Sequence, residues 1–215
     1  MPFQPETYQR ILKEIGTGVT LIAVSKLQPV QVIRNAYTAG QKDFGENYVQ
    51  ELIEKAGQLP DDIRWHFIGH LQSNKIKYIA PFVHLIHGVD SLKLLAAINK
   101  EAGKIQRTLH CLLQVHVAKE ETKHGFDPHS LQGIHAADYP NLELCGIMGM
   151  ATFTDDVQVL QNEFHLLKQT FDTLKQKFPG FKYLSMGMSG DYPLAIQCGS
   201  NMVRIGSLLF GARLA

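Results

Sequence analysis

Leu21-Ile22-Ala23-Val24-Ser25-Lys26 reads as the end of a short buried parallel strand, residues 19–25, that stops on a lysine. Continuous apolar runs of this length mark strands covered on both faces, as in a parallel sheet. An open, doubly wound sheet is expected to follow such an early strand with a Gly-rich dinucleotide loop. Ser25-Lys26 stands there instead, which favours a closed barrel over the open sheet.

The flanking sequence carries the same alternation to both ends. Upstream, Tyr8, Ile11, Leu12 and Ile15 recur at helical spacing until Gly16, an extra N-terminal helix. Downstream, Pro29 opens a helix with Val32, Ile33 and Ala36 inward and Gly40 at its end. Further strands are predicted at 43–45, 65–68, 84–89, 109–117, 144–148, 183–186 and 202–205. Helices between them are marked by Val49, Leu52, Ile53 and Ala56; by Ile76 and Ile79; and by Leu92, Leu95, Ala96 and Ala102 behind a Ser91 cap. Asp127-Pro128 is a good start for a helix through Leu131 and Ile134. The clearest stripe, Val157, Leu160, Phe164, Leu167, Phe171, Leu174 and Phe178, stops at Pro179-Gly180, and a helix containing Pro193 precedes the last strand. Eight strands, each but the last followed by a helix, predict an α/β fold: one (β/α)8 TIM barrel over residues 1–215, near the minimum size for the fold.

With 215 residues, 45% hydrophobic, 19% charged and a net charge of +1, the chain can bury a core. It carries no electrostatic footprint for nucleic acid or an anionic membrane. Cys111, Cys145 and Cys198 lie far apart, two of them in strand-like runs, so reduced buried thiols are expected rather than disulfides. Residues 1–10 lack a signal-peptide pattern and no apolar run reaches membrane-spanning length. A cytoplasmic protein is the expectation.

Ligands of a barrel sit at the C-terminal ends of its strands. Collected there are Lys26; Glu46 and Asn47; Gly69 and His70; Asp90; Lys123, His124 and Gly125; Met148 and Met150; Ser185 and Ser189; and Arg204, Gly206 and Ser207. A lysine desolvated at a central strand end has a lowered pKa and can attack an aldehyde, the requirement for a Schiff-base lysine; the plain alternative is a snorkelling lysine. Ser185-Met186-Gly187-Met188-Ser189-Gly190 resembles a phosphate loop, and Gly206-Ser207 offers a second glycine and hydroxyl. Barrels often bind phosphate with the loops after strands seven and eight, so the two segments reinforce each other. Arg204 alternates with Val203 and Ile205 and is expected to face the barrel mouth, with a salt bridge to a carboxylate as the alternative. Among ten histidines, His66/His70, His84/His87 and His110/His116 lack a compact ligand set, so no metal site is expected.

These segments, with Phe44-Gly45-Glu46-Asn47, Trp65 to Lys75, Lys123-His124-Gly125, Gly146 to Met150 and Val203-Arg204-Ile205-Gly206, jointly resemble the pyridoxal 5′-phosphate (PLP) homeostasis proteins, and in family order from first strand to last. That family is similar to the N-terminal barrel of alanine racemase, the type III fold of PLP proteins. The resemblance implies that Lys26 is the Schiff-base lysine, that Arg204 faces the pyridine nitrogen, and that Ser185, Ser189, Gly206 and Ser207 hold the phosphate with Asn47 nearby. Ser207 and Asn201 stand where threonine is usual, changes that keep hydrogen-bonding capacity, and Leu27 replaces a residue often polar.

An arginine at the pyridine nitrogen can only donate, which keeps the ring unprotonated and weakens it as an electron sink. The resemblance to alanine racemase also implies a tyrosine acid/base and a second, β-rich domain, and the sequence ends at Ala215 soon after strand eight. The expectation is a non-enzymatic, monomeric PLP carrier that stores, buffers or delivers the cofactor, with PLP-dependent apo-enzymes as recipients. A small PLP-dependent racemase is the alternative.

Overall fold

The structure, a computed structural model, describes residues 3–120 and 124–211. Strands β1 (Thr20–Val24), β2 (Asp43–Glu46), β3 (Arg64–Phe67), β4 (Leu85–Val89), β5 (Leu109–Val115), β6 (Leu142–Gly149), β7 (Tyr183–Met188) and β8 (Met202–Ile205) form a closed barrel in chain order. Every pairing is parallel, and β8 closes on β1 with Ile22 opposite Arg204. The open sheet is therefore excluded, and the predicted (β/α)8 barrel is the observed one.

Helix α1 (Pro5–Ile15) buries Tyr8, Ile11 and Ile15 and ends at Gly16, whose φ of 66° suits glycine. Helices α2 (Val30–Thr38), α3 (Val49–Ala56), α4 (Ile76–Ile79), α5 (Leu92–Lys104), α6 (Val157–Lys177), α7 (Tyr192–Gln197) and α8 (Ser207–Phe210) cover the outside. Ser91 caps α5, its side chain accepting from the Leu94 N–H at 3.3 Å. Two connections differ from expectation. After β5 the only helical elements among the described residues are short 3-10 turns at Ser130–Gly133 and Ala136–Asp138. Two apolar residues, with Gly133 and Pro140 close by, cannot repay the cost of nucleating an α-helix. After β8, the strand expected to lack a helix, α8 makes a single turn.

The barrel has two cores. Ile33, Leu52, Phe67, Leu95, Leu113, Leu167 and Val203 belong to the large one between strands and helices. Ile22, Leu85, Leu112, Cys145, Met148 and Met202 form the other; they come from five strands spaced around the ring and can meet only inside it. The interior also holds buried polar groups, His66, His87, Ser185 and Arg204. All three cysteines are free and buried. Burial, together with the neighbouring Glu143, pushes the Cys145 thiol up to about 12, and burial raises that of Cys111. No helix among the described residues is long and apolar enough to cross a membrane.

Candidate functional site

A cavity of about 470 Å³ opens where β1, β2, β7 and β8 end, and Lys26, Asn47, Ser189, Arg204, Gly206 and Ser207 all line it. Residues predicted from four separate segments are thus brought to one place, with Met150 as a further predicted neighbour.

Lys26 is half-buried and sits inside a tight turn closed by the Gln28 N–H donating to the Ser25 carbonyl at 3.0 Å. The turn's third residue, Leu27, has φ 62°, a position normally given to Gly or Asn because a side chain crowds its own carbonyl there. The Leu27 N–H donates to Glu51 Oε1 at 2.5 Å, which holds the strained residue in place. Its side chain is 62% exposed, so no core packing is lost on replacement. Leu27→Asn is expected to stabilise the protein by about 1 kcal/mol, read as a higher urea midpoint; an unchanged or lower midpoint would show that the turn stores no strain.

Behind this turn lies a charged cluster that sequence inspection did not find. Lys55, on α3 and 4% exposed, donates to the Ser25 carbonyl at 2.7 Å, to Glu46 Oε1 at 2.8 Å and to Glu51 Oε1 at 2.5 Å. The Ser25 hydroxyl donates to Glu46 Oε1 at 2.6 Å. Glu46, collected from the sequence as a candidate, points away from the cavity into this cluster. Burial raises its carboxyl above the usual range, opposed by the Lys55 ammonium and the Ser25 hydroxyl. The only sequence signal for the cluster was a lysine one turn from Leu52 on the buried side of a helix.

Asn47 follows β2, and its Oδ1 is buried with no hydrogen-bond partner among the described residues. Gly69 makes the approach behind it possible, since a Cβ there would lie 2.3 Å from the Asn47 carbonyl oxygen. At the opposite wall the Ser189 hydroxyl accepts from the Gly206 N–H at 3.2 Å, tying the loops after β7 and β8 together. Ser207 is exposed at the start of α8.

Arg204 is 4% exposed and faces inward, opposite to Val203 and Ile205 of the outer core. Nη1 donates to the Ser185 carbonyl at 2.9 Å and hydroxyl at 2.7 Å, and Nη2 to the Gly149 carbonyl at 3.0 Å. Burial lowers its pKa to about 10, which leaves it protonated at neutral pH. No ion pair among the described residues involves Arg204, so the alternative of a structural salt bridge finds no carboxylate. Ser185, named with the phosphate group, is fully buried in the wall behind Arg204 and does not line the cavity.

The other candidates lie elsewhere. His70 pairs with Asp90 at 3.1 Å in a neighbouring cleft, and Met148 is in the inner core. Gly125 packs on the β5 backbone, with its Cβ position 2.6 Å from the His116 nitrogen. His124 is exposed, its ring 5.0 Å from that of His70, and Lys123 lies outside the described residues. Met188 of the predicted phosphate loop also lines the rim, and a rim residue not anticipated is Phe153, 95% exposed. Among the described residues no three His, Cys, Asp or Glu side chains are placed to hold a metal.

The donor set suits PLP: an amine for its aldehyde, an inward guanidinium, an unsatisfied amide oxygen, and hydroxyls and glycines where two loops meet. Comparisons with known proteins agree. The family described as "Alanine racemase, N-terminal domain" matches residues 6–214. A pyridoxal phosphate homeostasis protein of Haemophilus influenzae is 40% identical over 202 residues, covering 91% of this chain and 85% of that one. The protein of the same name from Pongo abelii is 41% identical over 210 residues, covering 90% and 76%. PipY of Synechococcus elongatus, in a structure with PLP bound, superposes with a TM-score of 0.87 at 35% identity, covering 96% of this chain and 99% of PipY. Alanine racemase of Clostridium difficile shares the fold, with a TM-score of 0.77 at 17% identity over 98% of this chain and 56% of that one. With its barrel, its strand-end lysine and relatives at about 40% identity that match over three quarters or more of their length, the chain belongs to the pyridoxal phosphate homeostasis protein family.

Proposed function

We propose that this protein is a single-barrel, cytoplasmic carrier of PLP that stores, buffers or delivers the cofactor to PLP-dependent apo-enzymes, without being an enzyme itself. PLP supplies an aldehyde that condenses reversibly with a lysine amine and a ring that withdraws electrons. In this assignment Lys26 holds the cofactor, Ser189, Gly206 and Ser207 bind the phosphate dianion, and Asn47 offers its unsatisfied oxygen to a hydroxyl. Arg204 donates to the ring nitrogen and, being unable to accept, keeps it unprotonated. Ser185 supports Arg204 from behind.

The observation that carries the non-enzymatic half is the lining of the cavity. Among the described residues that line it, Lys26 is the only side chain of a type that serves as a general base, since the lining has no His, Cys, Tyr, Asp or Glu and an arginine stays protonated. Racemisation needs a base on each face of the substrate carbon; one is present.

Borohydride reduction of the PLP-loaded protein, followed by peptide mass analysis, tests the assignment. A phosphopyridoxyl adduct on Lys26 is expected; an adduct on another lysine, or none, overturns it. An amino acid carrying α-deuterium is expected to keep it in the presence of the loaded protein. Rapid loss of the label, abolished by Lys26→Ala, would establish the racemase instead.

A further inference from the structure

Beneath the cavity, a row of polar side chains runs from Arg204 and Ser185 through the barrel interior to residues with no part yet assigned. From Arg204 Nη1 it passes to Ser185 Oγ at 2.7 Å, then to His87 Nδ1 at 3.4 Å. His87 Nε2 meets His66 Nδ1 at 3.0 Å, and His66 Nε2 meets Asp43 Oδ1 at 3.0 Å. Arg64 closes the row on Asp43 with bonds of 2.7 Å and 2.5 Å. The members come from β8, β7, β4, β3 and β2. All are buried except Arg64, whose side chain is 48% exposed at the face opposite the cavity.

The two ends fix the direction of every bond between them. A guanidinium only donates and an ionised carboxylate only accepts. Burial alone would raise the Asp43 carboxyl, but hydrogen bonds from Arg64 and His66 bring it down to about 2, so it is ionised. At the Asp43 end a neutral His66 must keep its proton on Nε2 to donate to the carboxylate, so its Nδ1 accepts from His87 Nε2. A neutral His87 with its proton on Nε2 has a bare Nδ1, which accepts from the Ser185 hydroxyl, and Ser185 Oγ in turn accepts from Arg204. One arrangement satisfies all four bonds. The surroundings favour it: burial lowers the basicity of both rings, reinforced at His87 by Arg204, His66 and His84, and for His66 opposed by Asp43. Titratable groups beside the row are His84, whose ring lies 5.3 Å from that of His66, His110, 6.2 Å from His84, Tyr8 near Asp43, Asp62 and Tyr183 near Arg64, and Asp191 near Arg204.

We propose that His87 and His66 are positioning residues: they form a one-directional hydrogen-bond relay, anchored on the Asp43 carboxylate, that clamps Arg204 through Ser185. A carboxylate placed directly on Arg204 would compete for the N–H groups that face the cavity, and its charge would repel a phosphorylated ligand. Neutral hydrogen-bond partners avoid both costs: they keep the guanidinium fixed and leave its remaining donors available. This inference rests on the assignment of PLP to the cavity, with Arg204 at the ring nitrogen.

Two measurements test it. In the PLP-free protein labelled with 15N, the imidazoles of His66 and His87 are each expected to show a single proton on Nε2, unchanged between about pH 7 and 8. A proton on Nδ1 of either ring, or titration of either within that range, overturns the relay. In Ser185→Ala, which cuts the first link and keeps the backbone bond to Arg204, PLP is expected to remain on Lys26. Its dissociation constant should rise about ten-fold and its visible absorption band should shift. Unchanged affinity and spectrum overturn the positioning role even where the tautomers are as expected. The two readings fail separately: a parent protein that takes no PLP on Lys26 removes the cofactor assignment and the relay's effect on it, whereas an adduct on Lys26 with wrong tautomers removes the relay alone.

Discussion

Lys26→Ala is expected to weaken PLP binding by about a hundred-fold or more, ~3 kcal/mol, and to release the cofactor on desalting. The contacts proposed for Arg204, Ser189, Gly206 and Ser207 would survive in that variant, so residual binding to the phosphate and ring is expected; the reversible covalent link is not. Lys26→Arg separates the two contributions of the side chain. It keeps the positive charge and much of the length but offers no amine for condensation, and is expected to lose as much affinity as the alanine variant. Equilibrium dialysis with PLP measures both. If either variant binds as the parent does, the lysine is a neighbour of the cofactor and not its tether.

The second large effect is on stability. Lys55→Met is expected to cost about 3–5 kcal/mol, because it leaves the Glu46 carboxylate buried without its partner; for a chain of this size that lowers Tm by roughly 10 °C. Glu46 is fully buried, and its Oε2 already lacks a hydrogen-bond partner among the described residues. The double variant Lys55→Met/Glu46→Leu removes both charges and should regain most of the loss. Acidity gives an independent check. The Glu46 carboxyl is raised by burial even with Lys55 present, and higher still without it. Between its unfolded and folded pKa the folded variant binds more protons than the unfolded chain, so stability falls as pH rises through that window. The deficit of Lys55→Met should therefore be smaller at about pH 5 than at about pH 8. A deficit independent of pH would mean that Glu46 is not the stranded group.

The barrel was legible because strands covered on both faces write themselves as apolar runs, and the helix stripes of α5 and α6 are long enough to be unambiguous. The helix after β5 was not, since Leu131 and Ile134 alone cannot distinguish an α-helix from two tight turns. At the site, alternation along β8 correctly turned Arg204 inward, because facing is a local property. Depth is not local. Ser185, expected beside the phosphate, points into the barrel one layer below the cavity floor, where only the stagger between β7 and β8 puts it against Arg204. The same limit hid the contacts of His66 with His87 and with Asp43: each partner is more than twenty residues away, and register between strands decides whether two inward side chains meet. Leu27 gave no sign of its left-handed backbone, because its composition argues against it.

The free cysteines have a chemical consequence for a protein that handles an aldehyde. Thiolates add to carbonyls and would trap such a cargo as a thiohemiacetal, in competition with the amine meant to receive it. Cys145 closes the inner core beside Met148 and Met202, Cys111 lies on the outer face of its strand among helix contacts, and neither lines the cavity. With their ionisation pushed far into alkaline pH, both are denied the one form that reacts. Chemoselectivity here comes from packing: the barrel keeps its sulfur nucleophiles dry and protonated while Lys26 stands at the mouth.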